Sequence, residues 1–524
     1  MNARARYPLG ARGDATGAVK SRARTDAPAT TPERLLIALL AAALAVIAFR
    51  GALDYGFSQD DFLSLGRVRG LAPRLTGPWR ILANQWFWDA GVRLFGLEAR
   101  PFHAVVLGAH AASAALLAWL LSRRFPAPAA GLAACLWAVH PSHYMALYWA
   151  SANSEPFMTL FVLLATAAYF ARGPRRALSP VAFAIALAWK ESALPLPFAL
   201  AALALLGPPP RAGVRDVARD PVLWALLAVS LAWGAGISTF VRGLNATSTA
   251  YGADFGAVGR NLLAYAAWTP TWMGWLTRDA SDGLLPVFAR WGAAVLAAAL
   301  AGLAWRPWRE RGAAGALLAA LLLLAPVLPL AHHQYHYYLL APLAAVAVAG
   351  AALFASLTDP LAPRLRWAAA AGVVTPLAFA AIALIHDIET APFRAPGSRA
   401  EGTVDRALIA THAIADLRRA ALPAHARLRL WSPEMQEMAL RTAGSGPRTA
   451  TLPIKETYEE VNVRSALLEG LALRVMTPAV DSAVFVRAFA RADTTVWWAI
   501  YRWDGHLRAA RTNELARVMA AAGR

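Results

Sequence analysis

Two adjacent acids, Asp60 and Asp61, stand in Phe57-Ser-Gln-Asp-Asp-Phe62, shortly after the unbroken apolar run Leu35–Phe49. One carboxylate of such a pair can take the proton of an attacking hydroxyl, and repulsion from its neighbour raises its pKa. The same residues can equally cap a helix or face solvent. A second pair, Lys190-Glu191, lies between apolar stretches and contains one of three lysines in the chain. Lys190 can hold a phosphate as a point charge with Glu191 orienting it, or the two can neutralise each other at a helix break. His140-Pro-Ser-His143 precedes Trp149 and Glu155. A His pair three apart can bind metal, but Pro141 disturbs helical spacing and no third ligand is fixed, which leaves a cavity lining or a hydrogen-bonded turn. His332-His333-Gln-Tyr335-His336-Tyr-Tyr338 is rich in donors and aromatic rings. It suits a phosphate and a sugar ring, or an interfacial belt. His103 and His110, seven residues apart, share roughly one helix face.

The elements that must position these groups cross a membrane. Hydrophobic residues make up 58% of the 524 and charged residues 16%, with the apolar residues in blocks of roughly 17–25, the length of a span. Eleven spans are predicted, at 35–53, 101–121, 127–140, 145–170, 178–190, 192–206, 221–241, 285–305, 313–330, 337–357 and 367–386. The formal charge of +19 is no nucleic-acid signal, because the arginines cluster in alternate short breaks: 123/124, 172/175/176, 211/215/219, 306/309/311 and 364/366. That is the positive-inside pattern. Cys135 stands alone in an apolar segment, which excludes a disulfide framework and a thiolate metal site. Spans 127–140 and 178–190 are short, as helices lining something buried are. Trp79, Trp86 and Trp88 in the first loop and the amphipathic stretch Arg260–Leu276 are expected at the interface.

Residues 1–32 are expected to be a disordered cytoplasmic tail, with a cleaved signal peptide as the competing reading. Residues 33–386 form the transmembrane domain. An odd number of spans puts 387–524 outside as a small α+β domain, with a helix near Thr403–Ala421, a strand at Arg427–Trp431 and Gly-Ser-Gly punctuation at 444–446. A further strand, Val496–Trp503, enters a turn at Asp504-Gly505.

On this topology His103, His140, His143, His332, His333, His336 and His386 fall at outer ends, and Asp60, Asp61, Glu155 and Glu191 in the outward half. Ionisable residues in spans line cavities or pathways. A cavity polar on one side fits an enzyme acting on a lipid-linked substrate, whereas alternating access needs a polar midplane site. No Walker or Rossmann glycine pattern is present.

Taken together, these residues resemble the membrane glycosyltransferases of the GT-C fold, and most closely bacterial relatives of the tetratricopeptide-linked O-mannosyltransferases, with protein O-mannosyltransferases more distant. The likeness is carried by the Asp60-Asp61 loop, Phe102-His103 with His110, His140-Pro141 with Trp149, Trp189-Lys190-Glu191-Ser192 and Tyr335–Pro342, over about the first 345 residues. The resemblance implies a polytopic α-helical membrane protein of about eleven transmembrane helices, GT-C-like, in a bacterial inner membrane with a cytoplasmic N-terminus. It implies a polyprenyl-phosphate-linked sugar donor, Asp60 as base with Asp61 second, and donor contacts from Lys190 and residues 332–338. The acceptor is a glycan, lipid or protein hydroxyl; no nucleic-acid partner is expected. A divalent cation fits paired acids, though nothing demands one. Two features depart from the family: Asn153 stands where relatives carry an Arg, and the tetratricopeptide repeats are absent. A lipid-sugar transporter or flippase and a non-catalytic membrane scaffold are the competing readings.

Overall fold

The computed structural model describes residues 29–75, 77–245, 254–270, 285–330, 334–390, 402–433, 458–486 and 494–521. The expectations for residues 1–28, for His332 and His333, for 444–446 and for 271–276 lie outside the described residues.

Helix α1 (Thr31–Phe49) opens with Glu33 accepting from the Thr30 backbone N–H at 2.7 Å and its hydroxyl at 2.8 Å, which satisfies donors that the first turn leaves free. After it come α2 (Asp60–Val68), a π-helical turn at Leu82–Trp86, α3 (Phe87–Phe95), α4 (Ala99–Ser122), α5 (Ala127–Ala138), α6 (Tyr144–Tyr148), α7 (Ser154–Tyr169), α8 (Leu178–Trp189) and α9 (Leu196–Leu206). The bundle continues through α10 (Val214–Ala218), α11 (Pro221–Asn245), α12 (Ala257–Trp268), α13 (Leu285–Gly302), α14 (Arg306–Glu310), α15 (Ala313–Leu324), α16 (Leu340–Thr358) and α17 (Pro363–Thr390). Each of the eleven predicted segments is helical over most of its length. Five described helices are long and apolar enough to cross a membrane, and several others are apolar but shorter. The chain is a polytopic helical membrane protein.

Small residues let the helices approach closely, as membrane packing requires. Ala41, Ala45 and Ala48 of α1 are buried in one core with Ala114 and Ala118 of α4 and Ala130 and Ala134 of α5. At the arginine-rich end, arginine side chains satisfy carbonyls of the connections between helices: Arg124 donates to Pro209 O at 3.0 Å and Arg366 to Asp359 O at 2.6 Å. Asp359 also pairs with Arg311 at 3.2 Å.

The opposite end is where helices break. The 145–170 segment is not one helix. Trp149 is extended (φ −122°, ψ 111°), a 3₁₀ turn spans Ala150–Asn153, and α7 starts only at Ser154. Lys190 is also extended (φ −159°, ψ 134°), separating α8 from the turn Glu191–Ala193 and from α9.

Beyond α17, α18 (Thr403–Arg419) packs on a four-stranded sheet of order β2-β1-β3-β4, made of β1 (Ala426–Trp431), β2 (Val480–Phe485), β3 (Trp497–Tyr501) and β4 (Leu507–Arg511). The hairpin at Asp504-Gly505 forms where expected, with Gly505 at φ 87°. The sheet departs from a simple α+β pattern, because β1 runs parallel to both β2 and β3. Parallel neighbours need a crossover, and helices Tyr458–Ala466 and Leu471–Met476 lie in the connection between β1 and β2. This unit shares a core with the first loop and the start of α4: Phe57, Phe62, Leu65, Trp88 and Phe102 cluster with Ile409, Leu417, Leu428 and Leu473.

Candidate functional site

The two acids sit at the first positions of α2, where the helix dipole favours negative charge, but they face different surroundings. Asp61 is fully buried. One of its oxygens accepts from the Ser58 N–H at 2.9 Å, the other from the Ser151 N–H at 2.6 Å. Burial pushes its carboxyl up to about 7, while the bonds from Ser151 and Ser58 pull the other way. Asp60 is reachable by solvent, yet enough protein surrounds it that burial raises its carboxyl too, with Arg67 drawing it partly back. It is a recessed, accessible carboxylate. The residue before it, Gln59, has φ 54° and ψ −126°, a conformation that L side chains seldom adopt.

Across the turn Ala150–Asn153 stands an ion-paired quartet. Because Lys190 is extended, Lys190 and Glu191 point to different partners and do not neutralise each other. Lys190 Nζ pairs with Glu155 Oε1 at 2.5 Å, with both side chains nearly sealed from solvent. It also lies 5.0 Å and 4.6 Å from the ring centres of Tyr337 and Tyr338. Glu191 receives two bonds from Arg80, one of them from Nε at 2.8 Å, and one from Trp79 Nε1 at 3.2 Å. Two cations and two carboxylates close to zero formal charge. Aromatic rings wall the group, Trp189 stacking on Phe157 at 4.1 Å. Glu155 lies four residues beyond Ser151, so one short turn ties the acid loop to the quartet.

The histidines brace this end. His103 Nδ1 meets Leu147 O at 3.1 Å, linking α4 to α6. His110, one face-repeat deeper, meets Ala138 O at 3.0 Å. His140 bonds Ser142 Oγ at 2.8 Å and Thr269 O at 2.9 Å, so both ring nitrogens are taken. His143 is buried with neither ring nitrogen hydrogen-bonded among the described residues, 5.0 Å from His110 and 4.9 Å from Trp137. His336 packs on Trp268 at 4.5 Å, and Tyr335 stacks on Tyr337 at 5.1 Å. No three His, Cys, Asp or Glu among the described residues are grouped to hold a metal ion. His386 lies apart, exposed on α17, in a second cavity of about 470 Å³ with Arg50, Asp54, Arg100 and Glu389. Tyr148, hydrogen-bonded to Glu389, separates it from the turn.

Sequence reasoning missed Arg80. The signal was its place beside Trp79 in the loop already singled out. The expected cation near Asn153 is absent at that position; Asn153 is buried and bonds Ala150 O at 2.8 Å. Trp79 walls the site and Trp88 is core, leaving Trp86 as the exposed member of the three.

Fold and site together define a polytopic helical membrane protein with an accessible carboxylate at Asp60 and buried, aromatic-lined ion pairs at the same end of the bundle. No protein-family model and no curated protein sequence matches the chain. Among solved structures, the crystal structure of ArnT from Cupriavidus metallidurans bound to undecaprenyl phosphate aligns over 93% of this chain and 94% of that one, at 11% identity and a TM-score of 0.44. At that level the likeness transfers neither activity nor ligand.

Proposed function

We propose that the chain is a membrane glycosyltransferase, moving a sugar from a polyprenyl-phosphate donor to an acceptor hydroxyl at the extracytoplasmic face of a bacterial inner membrane. The observation that carries this reading is the accessible carboxylate of Asp60, raised by burial, beside Asp61, whose bond to Ser151 joins the acid loop to the turn that leads to the Lys190–Glu155 and Arg80–Glu191 pairs. The sequence resemblance in the same residues points the same way.

In this reading Asp60 takes the acceptor hydroxyl proton as the acceptor oxygen bonds the anomeric carbon. The bond from that carbon to the phosphate oxygen breaks, and polyprenyl phosphate leaves already ionised. Attack in line inverts the anomeric centre. The leaving phosphate needs charge stabilisation and not an acid. Lys190 would supply it by exchanging Glu155 for the phosphate, with Arg80 beside it and the 332–338 segment contributing donors. Asp61, with both oxygens bonded to backbone N–H groups, holds the loop.

The transporter reading asks for a polar path through the other half of the bundle. The cavity there, about 120 Å³, is lined mainly by apolar groups such as Leu117, Leu121, Val162, Leu203 and Leu323, with Thr166, Arg123 and Arg124 as its polar members. The domain limits 33–386 and 387–524 belong to the same proposal.

The test is release of polyprenyl phosphate from a polyprenyl-phosphate sugar by purified protein, comparing wild type with Asp60→Asn and Asp61→Asn at equal expression. Turnover by wild type and its loss in Asp60→Asn is the expected result. Full activity in Asp60→Asn would remove Asp60 from the chemistry.

A further inference from the structure

The C-terminal unit touches the acid loop at Gln59, whose backbone is strained. Gln59 precedes Asp60 and holds φ 54° and ψ −126°, a region that glycine occupies freely and other residues avoid. Such a conformation persists only where surrounding contacts determine it. Here they come from the far end of the chain. The Gln59 N–H donates to Ala466 O at 3.2 Å. Its side-chain oxygen accepts from Arg406 Nη1 at 2.8 Å, and Arg406 is itself fixed by Nε donating to Asn462 Oδ1 at 3.1 Å.

Neighbouring contacts show the same grip. A Cβ on Gly56 would come within 2.6 Å of Thr411 Oγ1 of α18, and one on Gly66 within 3.2 Å of Leu471. Arg69, just after α2, donates to Val475 O. Phe57 and Phe62, which bracket the acids, are buried in the core that α18 and the sheet contribute. Cut from these contacts, Gln59 relaxes toward an ordinary negative φ, and that rotation displaces the Asp60 carboxylate that follows it.

We infer that Arg406 is a positioning residue for Asp60, and that the C-terminal unit works as a clamp that holds the acid loop in its working geometry. Arg406 acts through Gln59. The catalytic part of this inference rests on the glycosyltransferase reading; the clamp itself does not.

Two readouts separate them. Full-length protein in detergent is compared as wild type, Arg406→Ala, Arg406→Lys and Gln59→Met, the last removing the acceptor oxygen while leaving the C-terminal unit intact. Amide hydrogen exchange by mass spectrometry over residues 56–66 is expected to speed up in Arg406→Ala and Gln59→Met and to stay near wild type in Arg406→Lys. With a polyprenyl-phosphate sugar as substrate, kcat is expected to fall by about 100-fold in Arg406→Ala, the cost of an ångström-scale misplacement, with KM for the donor unchanged. Faster loop exchange in Arg406→Ala and Gln59→Met, alongside a wild type that turns over no donor, would support the clamp and remove the glycosyltransferase reading. Wild-type exchange and wild-type kcat in both Arg406→Ala and Gln59→Met would overturn the inference, as would a rise in KM at constant kcat.

Discussion

Breaking the Lys190–Glu155 pair gives the sharpest expectation, because burial fixes its size. The two charged atoms are 2.5 Å apart, and the side chains keep 4% and 1% of their exposure. Removing one member leaves the other charged in a nearly dry site, at a cost of about 3–5 kcal/mol. Lys190→Met also forfeits the attraction to two tyrosine rings at 5.0 Å and 4.6 Å, worth about 1–2 kcal/mol when desolvated. Glu155→Leu and Lys190→Met together replace the pair by apolar groups of similar size, which is often neutral or mildly stabilising. The double variant is therefore expected to be more stable than either single one, with a coupling energy of at least about 3 kcal/mol. Reversible unfolding in mixed micelles titrated with a denaturing detergent measures all four corners of the cycle. Additive losses would refute the reasoning, since they would mean that neither charge depends on the other. Activity should move the opposite way, the stable double variant losing donor binding because the ammonium is gone.

Other expectations concern the acids and the packing around them. Burial raises the folded Asp61 carboxyl to about 7, from the ordinary 3.8. Its contribution to stability is therefore full below about pH 4 and is lost as pH rises through about 7, by about 4 kcal/mol at ~1.4 kcal/mol per unit; unfolding followed from pH 4 to 8 should show that fall, flattened in Asp61→Asn. With Asp60 raised as well, the acid limb of a kcat/KM profile should lie above the range of an ordinary carboxylate, and Asp60→Asn should lower kcat by about 100- to 10,000-fold. Arg80→Leu leaves Glu191 half-buried without its guanidinium, so unfolding should come earlier, and Glu191→Gln in the same protein should restore much of the loss. Gly91→Ala puts a Cβ 2.2 Å from the Phe102 ring; overpacking of about 1–3 kcal/mol is expected in the same unfolding assay.

Much of the fold was legible because bilayer physics writes in long words. The apolar blocks and the arginine breaks located the long apolar helices and put Asp60, His103, His140, Glu155, Lys190 and His336 at one end of the bundle. Helix interruptions were harder to read. Nothing apolar distinguishes residues 145–153 from a continuing helix, and the break at Trp149 follows from the His-Pro turn and the Asp61–Ser151 bond, which join residues 90 apart. Pairing was not legible either. Adjacency left Lys190 and Glu191 either partly neutralising each other or sharing a phosphate site, but an extended residue sends neighbours to opposite sides, so each charge found a partner on another element. The contact of Arg406 with Gln59 spans 347 positions, and no local pattern announces it.

The neutral quartet carries a consequence for how an anionic substrate would enter. A preformed cationic pocket attracts phosphate but must stay hydrated when empty, which is costly inside a helix bundle. Pairing Lys190 with Glu155 and Arg80 with Glu191 removes that cost in the resting site. A phosphate that arrives must then compete with a carboxylate for the ammonium, so discrimination rests on the difference between two ion pairs and not on net charge. Glu155→Gln weakens the competitor without removing the cation. It should lower KM for a lipid-phosphate donor while lowering thermal stability, measured on the same preparation. A raised KM in Glu155→Gln would mean that Glu155 orients Lys190 toward the donor and does not guard it.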